Sequence, residues 1–146
     1  MNFQKIAIIR HGDPNNQNPV NMILHEIKKF MENEDNILLM CSTSKYAEDS
    51  TKILSRELNV EYKAYQQLSN NKVEGSAVAL CNEKSNYTEE PVAVIAVVDG
   101  YLINSMPVYI MSLANKTYST VESKGNGEMV FLNLATGDHS FFKGVF

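Results

Sequence analysis

The sequence predicts an α/β protein in which a mostly parallel, mixed sheet lies between two layers of helices. Strand-like apolar runs alternate with helix-like segments along the chain, and a hairpin-like segment near the end makes the sheet mixed. The run Val92–Val98 is apolar at every position, which is typical of a central strand covered by helices on both faces. Because 146 residues is close to the size of one common domain, we predict a single domain over residues 1–146.

The composition excludes several classes of protein. Hydrophobic residues make up 44% of the chain and charged residues 21%, as in ordinary globular domains. The net charge is −4 and no basic run extends beyond Lys28 and Lys29, so we expect no nucleic-acid partner. No apolar run approaches the ~18 residues of a membrane helix, and the N-terminus has no basic-then-apolar leader. We therefore expect a cytoplasmic protein without a membrane partner.

Several site signatures are missing from the sequence. Cys41 and Cys81 have no spacing typical of a zinc site or a disulfide scaffold, and we expect both to be small buried side chains. No GxGxxG or GxxxxGK[ST] motif follows a predicted strand, which disfavours a nucleotide-binding module. The sequence predicts neither a metal nor a cofactor.

Apolar periodicity predicts the elements, and short polar segments separate them. The predicted order is a strand at residues 5–9, a loop through Pro19, a helix from Val20, a strand at 37–40, a helix after the hydroxyl residues 42–44, a short strand within 59–65, a loop with one short helix over 69–90, the strand Val92–Val98, a helix at 101–113, and a hairpin of strands 117–122 and 128–134 with its turn at 124–127. We expect the helix at 101–113 to break near residues 105–107, because proline disrupts a helix interior. His25 is expected on the exposed face of its helix and His139 in a turn, neither with a catalytic role.

Polar clusters follow three of the predicted strands. Residues 10–13 come after the first strand, residues 42–46 after the second, and Asp99 and Gly100 after the central one. In parallel sheets, sites gather at the carboxyl ends of the strands. The three clusters are therefore expected to converge at one edge of the sheet.

The same clusters resemble a known family. The string IIRHGDPN after the first strand resembles the signature of the histidine phosphatase superfamily, the phosphoglycerate mutase-like group, and in particular its small bacterial phosphohistidine phosphatases. The segment LMCSTSKYAEDSTKIL resembles the second βα unit of that family, and PVAVIAVVDG resembles the strand that delivers its second histidine before a glycine. The resemblance implies a phosphoglycerate mutase-like, three-layer α/β/α fold.

The resemblance also implies roles for individual residues. His11 would be the nucleophile that takes up the phosphoryl group, and Arg10 would clamp the phosphate with a bidentate fork. Gly12 would let the phosphate approach the backbone, and the helix N-terminus near Ser44 would add N–H donors. The implied partner is phosphate, or a phosphorylated small molecule or protein.

Two positions depart from the family's pattern. Tyr46, with Lys45 beside it, occupies the position of the family's helix arginine, and Asp99 occupies the position of its second histidine. A carboxylate about 5 Å from a unit of phosphate charge, at an effective dielectric near 20, costs on the order of 3 kcal/mol. Lys45 can supply the missing charge, Asp99 can be protonated, or a divalent cation can lie between the two groups. No glutamate clearly matches the family's acid donor, although Asn70 and Glu74 lie in the right part of the chain.

Two functions follow from this pattern. The first is a pseudoenzyme that keeps a partial phosphate pocket at Arg10 and His11, turns over phosphate weakly or not at all, and serves binding or regulation. The alternative is an active phosphatase of phosphohistidine or small phosphoesters that works through a His11 phosphoenzyme, with Asp99 in its catalytic machinery. Arg10 and His11 can also be an ordinary strand-end pair, Lys45 and Tyr46 surface residues, and Asp99 the N-cap of the next helix.

Overall fold

The computed structural model of the protein describes residues 2–11, 18–69, 74–86, 92–118 and 128–143. Within these residues the elements follow in the order β1 Phe3–Arg10, α1 Asn18–Phe30, β2 Ile37–Cys41, α2 Lys45–Leu58, β3 Tyr62–Ala64, α3 Glu74–Ser85, β4 Val92–Val98, α4 Leu102–Leu113, β5 Glu128–Asn133 and β6 His139–Lys143. A single 3₁₀ turn, Gln66–Leu68, lies between β3 and α3. The alternation of strands and helices through β4 agrees with the prediction.

The strands form one mixed sheet of six strands in the order β3-β2-β4-β1-β5-β6. The first four strands of that order are parallel, β5 pairs antiparallel to β1, and β6 pairs antiparallel to β5. Every residue of β4 is buried. The prediction of a mostly parallel, mixed sheet with Val92–Val98 as a central strand is confirmed.

The core lies in two layers, one on each face of the sheet. Ile6 and Ile8 of β1 point into a cluster with α3 and α4, whereas Ala7 and Ile9 point into a cluster with α1 and α2. The residues of β4 alternate between the same two clusters. Since successive side chains of a strand point to opposite faces, this alternation gives the predicted three-layer α/β/α sandwich.

The register of the central strands brings their carboxyl ends together. Arg10 at the end of β1 lies opposite Val98 of β4, and Cys41 at the end of β2 lies opposite Val97. The backbone N–H of His11 donates to the carbonyl of Val98 at 3.4 Å. The next residues of the three strands are therefore His11, Ser42 and Asp99, which lie side by side at one edge of the sheet. The predicted convergence is confirmed for these residues.

Helix α4 is continuous, so the predicted break near residues 105–107 is wrong. Pro107 lies inside the helix and is buried. A proline removes one N–H, here the donor to the carbonyl of Ile103, but the helix packs an apolar face against the sheet and stays intact. Packing of that face offsets the lost hydrogen bond. The buried residues of α4 are Leu102, Ile103, Met106, Pro107, Ile110 and Met111.

The C-terminal hairpin differs from the predicted one. The predicted turn at 124–127 and most of the strand at 117–122 lie outside the described residues, while Thr117 and Tyr118 are described and belong to no strand. The hairpin of the structure pairs β5 with β6, and His139 opens β6 rather than lying in a turn. Its turn is closed by Asn133, whose side-chain oxygen accepts from the N–H of Ala135 at 3.1 Å, and by Gly137 with φ of 83°. Glycine adopts this positive φ without steric cost.

Two smaller predictions are settled by the same elements. Helix α3 is the short helix predicted within residues 69–90, and α1 begins at Asn18, two residues before the predicted Val20. No helix in the described part of the chain is long and apolar enough to cross a membrane.

Candidate functional site

A cavity of about 540 Å³ opens at the carboxyl edge of the sheet. Its lining residues come from the ends of β1 and β4 and the starts of α2 and α4 and are Arg10, His11, Ser44, Tyr46, Asp99, Gly100, Tyr101 and Asn104. Five of the seven site residues named from the sequence lie in it. Of the other two, Lys45 is the exposed first residue of α2 and is not among the lining residues, and Gly12 lies outside the described residues.

Arg10 lies against the backbone of Gly100. A Cβ added at position 100 would be 3.0 Å from Nη2 of Arg10 and 3.2 Å from its Cζ. Contacts this short are rare for real side chains, so any larger residue at position 100 would force the guanidinium to move. Gly100 is therefore a positioning residue for Arg10, because its lack of a Cβ leaves room for the guanidinium.

Asp99 is held by two serines from the neighbouring strand end. The hydroxyl of Ser44 donates to Oδ1 of Asp99 at 2.9 Å, and the hydroxyl of Ser42 donates to the same oxygen at 3.1 Å. Ser42 is fully buried. Hydrogen bonds to an ionised acceptor are stronger than those between neutral groups. We call Ser42, Ser44 and Asp99 the serine-aspartate cluster, and it fixes the carboxylate in place.

The serine-aspartate cluster is also part of the start of α2. Ser44 is the N-cap residue, and its Oγ accepts from the N–H of Ala47 at 3.2 Å. The N–H of Ser44 in turn donates to Oγ of Ser42 at 3.0 Å. An N-cap side chain satisfies one of the free N–H groups at a helix start. The position of Asp99 is thus coupled to the N-terminus of α2.

His11 faces both Asp99 and Tyr46. Its Nε2 lies 4.0 Å from Oδ1 of Asp99, and both side chains are 17% exposed. The ring of His11 lies 5.8 Å from the ring of Tyr46 at an angle of 46°. The distance to Asp99 is within ion-pair range and longer than a direct hydrogen bond. A negatively charged group therefore borders the imidazole that the resemblance casts as nucleophile.

Four contributors to the site were not named as site residues from the sequence. Gly100, Tyr101 and Asn104 line the cavity, and Ser42 lies beneath it as an anchor of Asp99. The signal available in the sequence was position: residues in the first turn after a strand end share the edge where the site forms. Tyr101 and Tyr46 are 45% and 44% exposed and form an aromatic rim.

Both cysteines are buried and free, as predicted. Burial raises the pKa of the Cys41 thiol to about 11 and that of Cys81 to about 12. Near neutral pH both are protonated thiols, and the thiol is a poor nucleophile and metal ligand. In the described ranges, no group of three or more His, Cys, Asp or Glu side chains is arranged to hold a metal ion.

Comparison with known proteins identifies the fold. No protein-family model matches the chain, and no curated protein matches it significantly. The protein histidine phosphatase SixA, in complex with tungstate, superposes with a TM-score of 0.68 at 15% identity, over 94% of this chain and 94% of that chain. A mycobacterial glucosyl-3-phosphoglycerate phosphatase gives 0.66 at 11% identity over 97% and 98%. Phosphoglycerate mutase from Plasmodium falciparum gives 0.59 at 16% identity over 97% and 89%.

The chain therefore has a phosphoglycerate mutase-like α/β fold, which it shares with these solved structures. The resemblance seen in the sequence is confirmed at the level of the fold. Because one fold hosts many functions, the function of this chain has to be argued from its own site.

Proposed function

We propose that this protein uses the histidine phosphatase fold to bind an anion at Arg10 and His11, with weak or no phosphatase turnover, and that it serves binding or regulation. One observation carries the proposal. The carboxylate of Asp99 lies 4.0 Å from Nε2 of His11 and is held there by Ser42 and Ser44.

The carboxylate acts against phosphoryl transfer through its charge. A phosphoryl group on Nε2 of His11 would bring at least one negative charge close to Asp99. At about 5 Å and an effective dielectric near 20, that repulsion costs about 3 kcal/mol. The two serine hydroxyls keep the carboxylate from turning away. The phosphoenzyme is therefore disfavoured relative to a site without this charge.

The described lining of the cavity offers little positive charge to offset this repulsion. Among the lining residues that the structure describes, Arg10 is the one Arg or Lys side chain, and Tyr46 occupies the helix position where the family carries an arginine. Arg10 alone can still hold an anion by a bidentate fork. The pocket thus favours reversible binding of a phosphate group over its transfer.

The ligand class follows from the same residues. We infer that the protein binds phosphate, or a phosphorylated small molecule or protein, and that it works in the cytoplasm as one domain without nucleic-acid or membrane partners. The fold neighbours include a protein histidine phosphatase and a phosphatase of glucosyl-3-phosphoglycerate, and both names support a phosphorylated ligand.

Two assays on three proteins test the proposal. Hydrolysis of p-nitrophenyl phosphate and binding of tungstate are measured for the wild type, His11→Ala, and the matched control His25→Ala, which changes an exposed histidine of α1. We expect hydrolysis near background in all three proteins and tungstate binding that weakens only in His11→Ala. Robust wild-type hydrolysis that disappears in His11→Ala and survives in His25→Ala would establish the alternative, an active phosphatase with a His11 phosphoenzyme.

A phosphoryl donor gives a second test. After incubation with phosphoramidate, intact-mass spectrometry measures the fraction of protein that carries a phosphoryl group. We expect little adduct on the wild type. A stoichiometric, acid-labile adduct that is absent from His11→Ala would contradict the proposal, because it would show that Asp99 does not prevent transfer.

A further inference from the structure

The cavity presents charges of both signs to its ligand. Arg10 and Asp99 line it together, at the ends of adjacent strands β1 and β4. Neighbouring strands lie about 5 Å apart, so the two side chains start from neighbouring points of the backbone. The guanidinium of Arg10 lies against position 100, directly after Asp99. A ligand that carries only negative charge meets attraction from one group and repulsion from the other.

We propose that the preferred ligand is zwitterionic: a phosphate or phosphonate that carries an ammonium group a few bonds from phosphorus. The anion lies at Arg10 and His11, and the ammonium lies at Asp99. This inference rests on the proposed function, since it names the ligand class of the same pocket.

Asp99 can accept the ammonium while it stays anchored. The hydroxyls of Ser42 and Ser44 both donate to Oδ1 of Asp99, and its side chain lines the cavity and is 17% exposed, so a ligand in the cavity can reach the carboxylate. The anchors fix the carboxylate in the wall of the cavity before a ligand arrives. A preorganised acceptor loses less conformational freedom on binding. The charge that repels a simple phosphate then attracts the ammonium end of a zwitterion.

The aromatic rim supports a cationic group independently of Asp99. Tyr46 and Tyr101 line the same cavity and are 44% and 45% exposed. An ammonium group close to the face of a tyrosine ring is attracted by the ring's quadrupole. One carboxylate and two tyrosine rings around an opening are a chemically suitable environment for an ammonium group.

Two matched phosphonates test this ligand class. 2-Aminoethylphosphonate and propylphosphonate have nearly the same shape, and the first has an ammonium where the second has a methyl group. Their carbon–phosphorus bonds resist hydrolysis, so calorimetry measures binding without turnover. We expect the wild-type protein to bind 2-aminoethylphosphonate at least about tenfold more tightly, which is about 1.4 kcal/mol.

Two variants test whether Asp99 causes the preference for 2-aminoethylphosphonate over propylphosphonate. Asp99→Asn removes the charge and keeps a side-chain oxygen for the serine hydroxyls, and it should abolish the preference. Asp138→Asn makes the same change of net charge at an exposed carboxylate in the turn before β6, and it should keep the preference. A preference that persists in Asp99→Asn would overturn the inference.

The wild-type comparison decides the question even if Asp99→Asn does not fold. Equal affinity for the two phosphonates, or tighter binding of propylphosphonate, would overturn the zwitterion inference and leave the anion pocket standing. Absence of binding for both phosphonates and for tungstate would overturn the proposed function, and the inference with it.

Discussion

Replacing Asp99 by asparagine should raise the affinity of the pocket for simple oxyanions. The substitution removes one negative charge from the cavity wall while the asparagine oxygen can still accept the hydroxyls of Ser42 and Ser44, which now reach Oδ1 at 3.1 and 2.9 Å. The serine-aspartate cluster then loses its charge without losing its hydrogen bonds. Arg10 itself is not altered by the substitution.

The size of the effect follows from the geometry. Asp99 lies 4.0 Å from Nε2 of His11, so an oxyanion that contacts the imidazole lies within about 5 Å of the carboxylate. At an effective dielectric near 20 the repulsion is about 3 kcal/mol for each unit of ligand charge. The Asp99 side chain is 17% exposed, so solvent screens only part of this. We expect tungstate to bind between about 10-fold and 100-fold more tightly.

Calorimetric titration of tungstate at fixed ionic strength measures the change. Asp99→His, which installs the residue type that the family carries at this position, should also gain affinity, and Asp138→Asn should not. Circular dichroism establishes that each variant is folded. A folded Asp99→Asn protein with unchanged or weaker tungstate affinity would refute the repulsion argument and, with it, the inhibitory role given to Asp99.

Three further predictions follow from the geometry of the site and its surroundings. Gly100→Ala should push the guanidinium of Arg10 aside and weaken tungstate binding roughly fivefold in calorimetry, about 1 kcal/mol; unchanged affinity would show that Gly100 does not position Arg10 for the anion. Ser44→Ala removes an N-cap and should lower the free energy of unfolding by about 1–2 kcal/mol in urea, whereas Ser76→Ala, at an exposed position, should change it by less than about 0.5 kcal/mol; equal losses would contradict the capping role. Burial raises the pKa of Cys41 from 9.0 to about 11, so its protonated thiol stabilises the fold below pH 9, and this contribution is lost as the pH rises towards about 11. The free energy of unfolding of Cys41→Ala in urea should therefore fall less steeply between pH 9 and about 11 than that of the wild type, and an identical fall in both proteins would refute the argument.

The central part of the fold could be predicted because its strands are apolar on both faces. The run Val92–Val98 is apolar at every position, which is typical of a strand buried between two layers of helices, so it indicates the centre of the sheet. The edge strand β6 was harder to predict than the central strands. β6, His139–Lys143, is a short edge strand, and its side chains do not alternate strictly between exposed and partly buried positions. It is held in the sheet by its pairing with β5. Such a strand depends on a tertiary partner that local pattern does not reveal.

The continuity of α4 escaped prediction for a related reason. Local propensity predicts that Pro107 disrupts the interior of a helix, and Pro107 does remove one backbone hydrogen-bond donor. The cost of that loss competes with the burial of a whole apolar face against the sheet, which a propensity argument does not contain. In α4 the burial of the apolar face outweighs the lost hydrogen bond, so the helix continues past Pro107.

At the site, the sequence could place His11 and Asp99 at one sheet edge but could not orient their neighbours. Which of the adjacent residues Ser44 and Lys45 faces the cavity depends on where α2 begins. As the N-cap, Ser44 turns its hydroxyl back to the helix N–H groups and onto Asp99, and Lys45, one residue later, is exposed. A shift of the helix start by one residue would exchange these roles, and patterns of apolar residues do not define helix ends that finely.

The serine-aspartate cluster changes how the substitution at position 99 is interpreted. A fully buried hydroxyl such as that of Ser42 needs hydrogen-bond partners, and here it donates to Asp99 and accepts from the N–H of Ser44. Asp99 is therefore not an isolated charge, since Ser42 at the end of β2 and Ser44 at the cap of α2 both hydrogen-bond to its carboxylate. The lining of the pocket therefore combines one positive side chain, Arg10, with one anchored negative side chain, Asp99. Both proposals rest on that pattern: the first is that it opposes phosphoryl transfer to His11, and the second is that it favours a ligand with both charges.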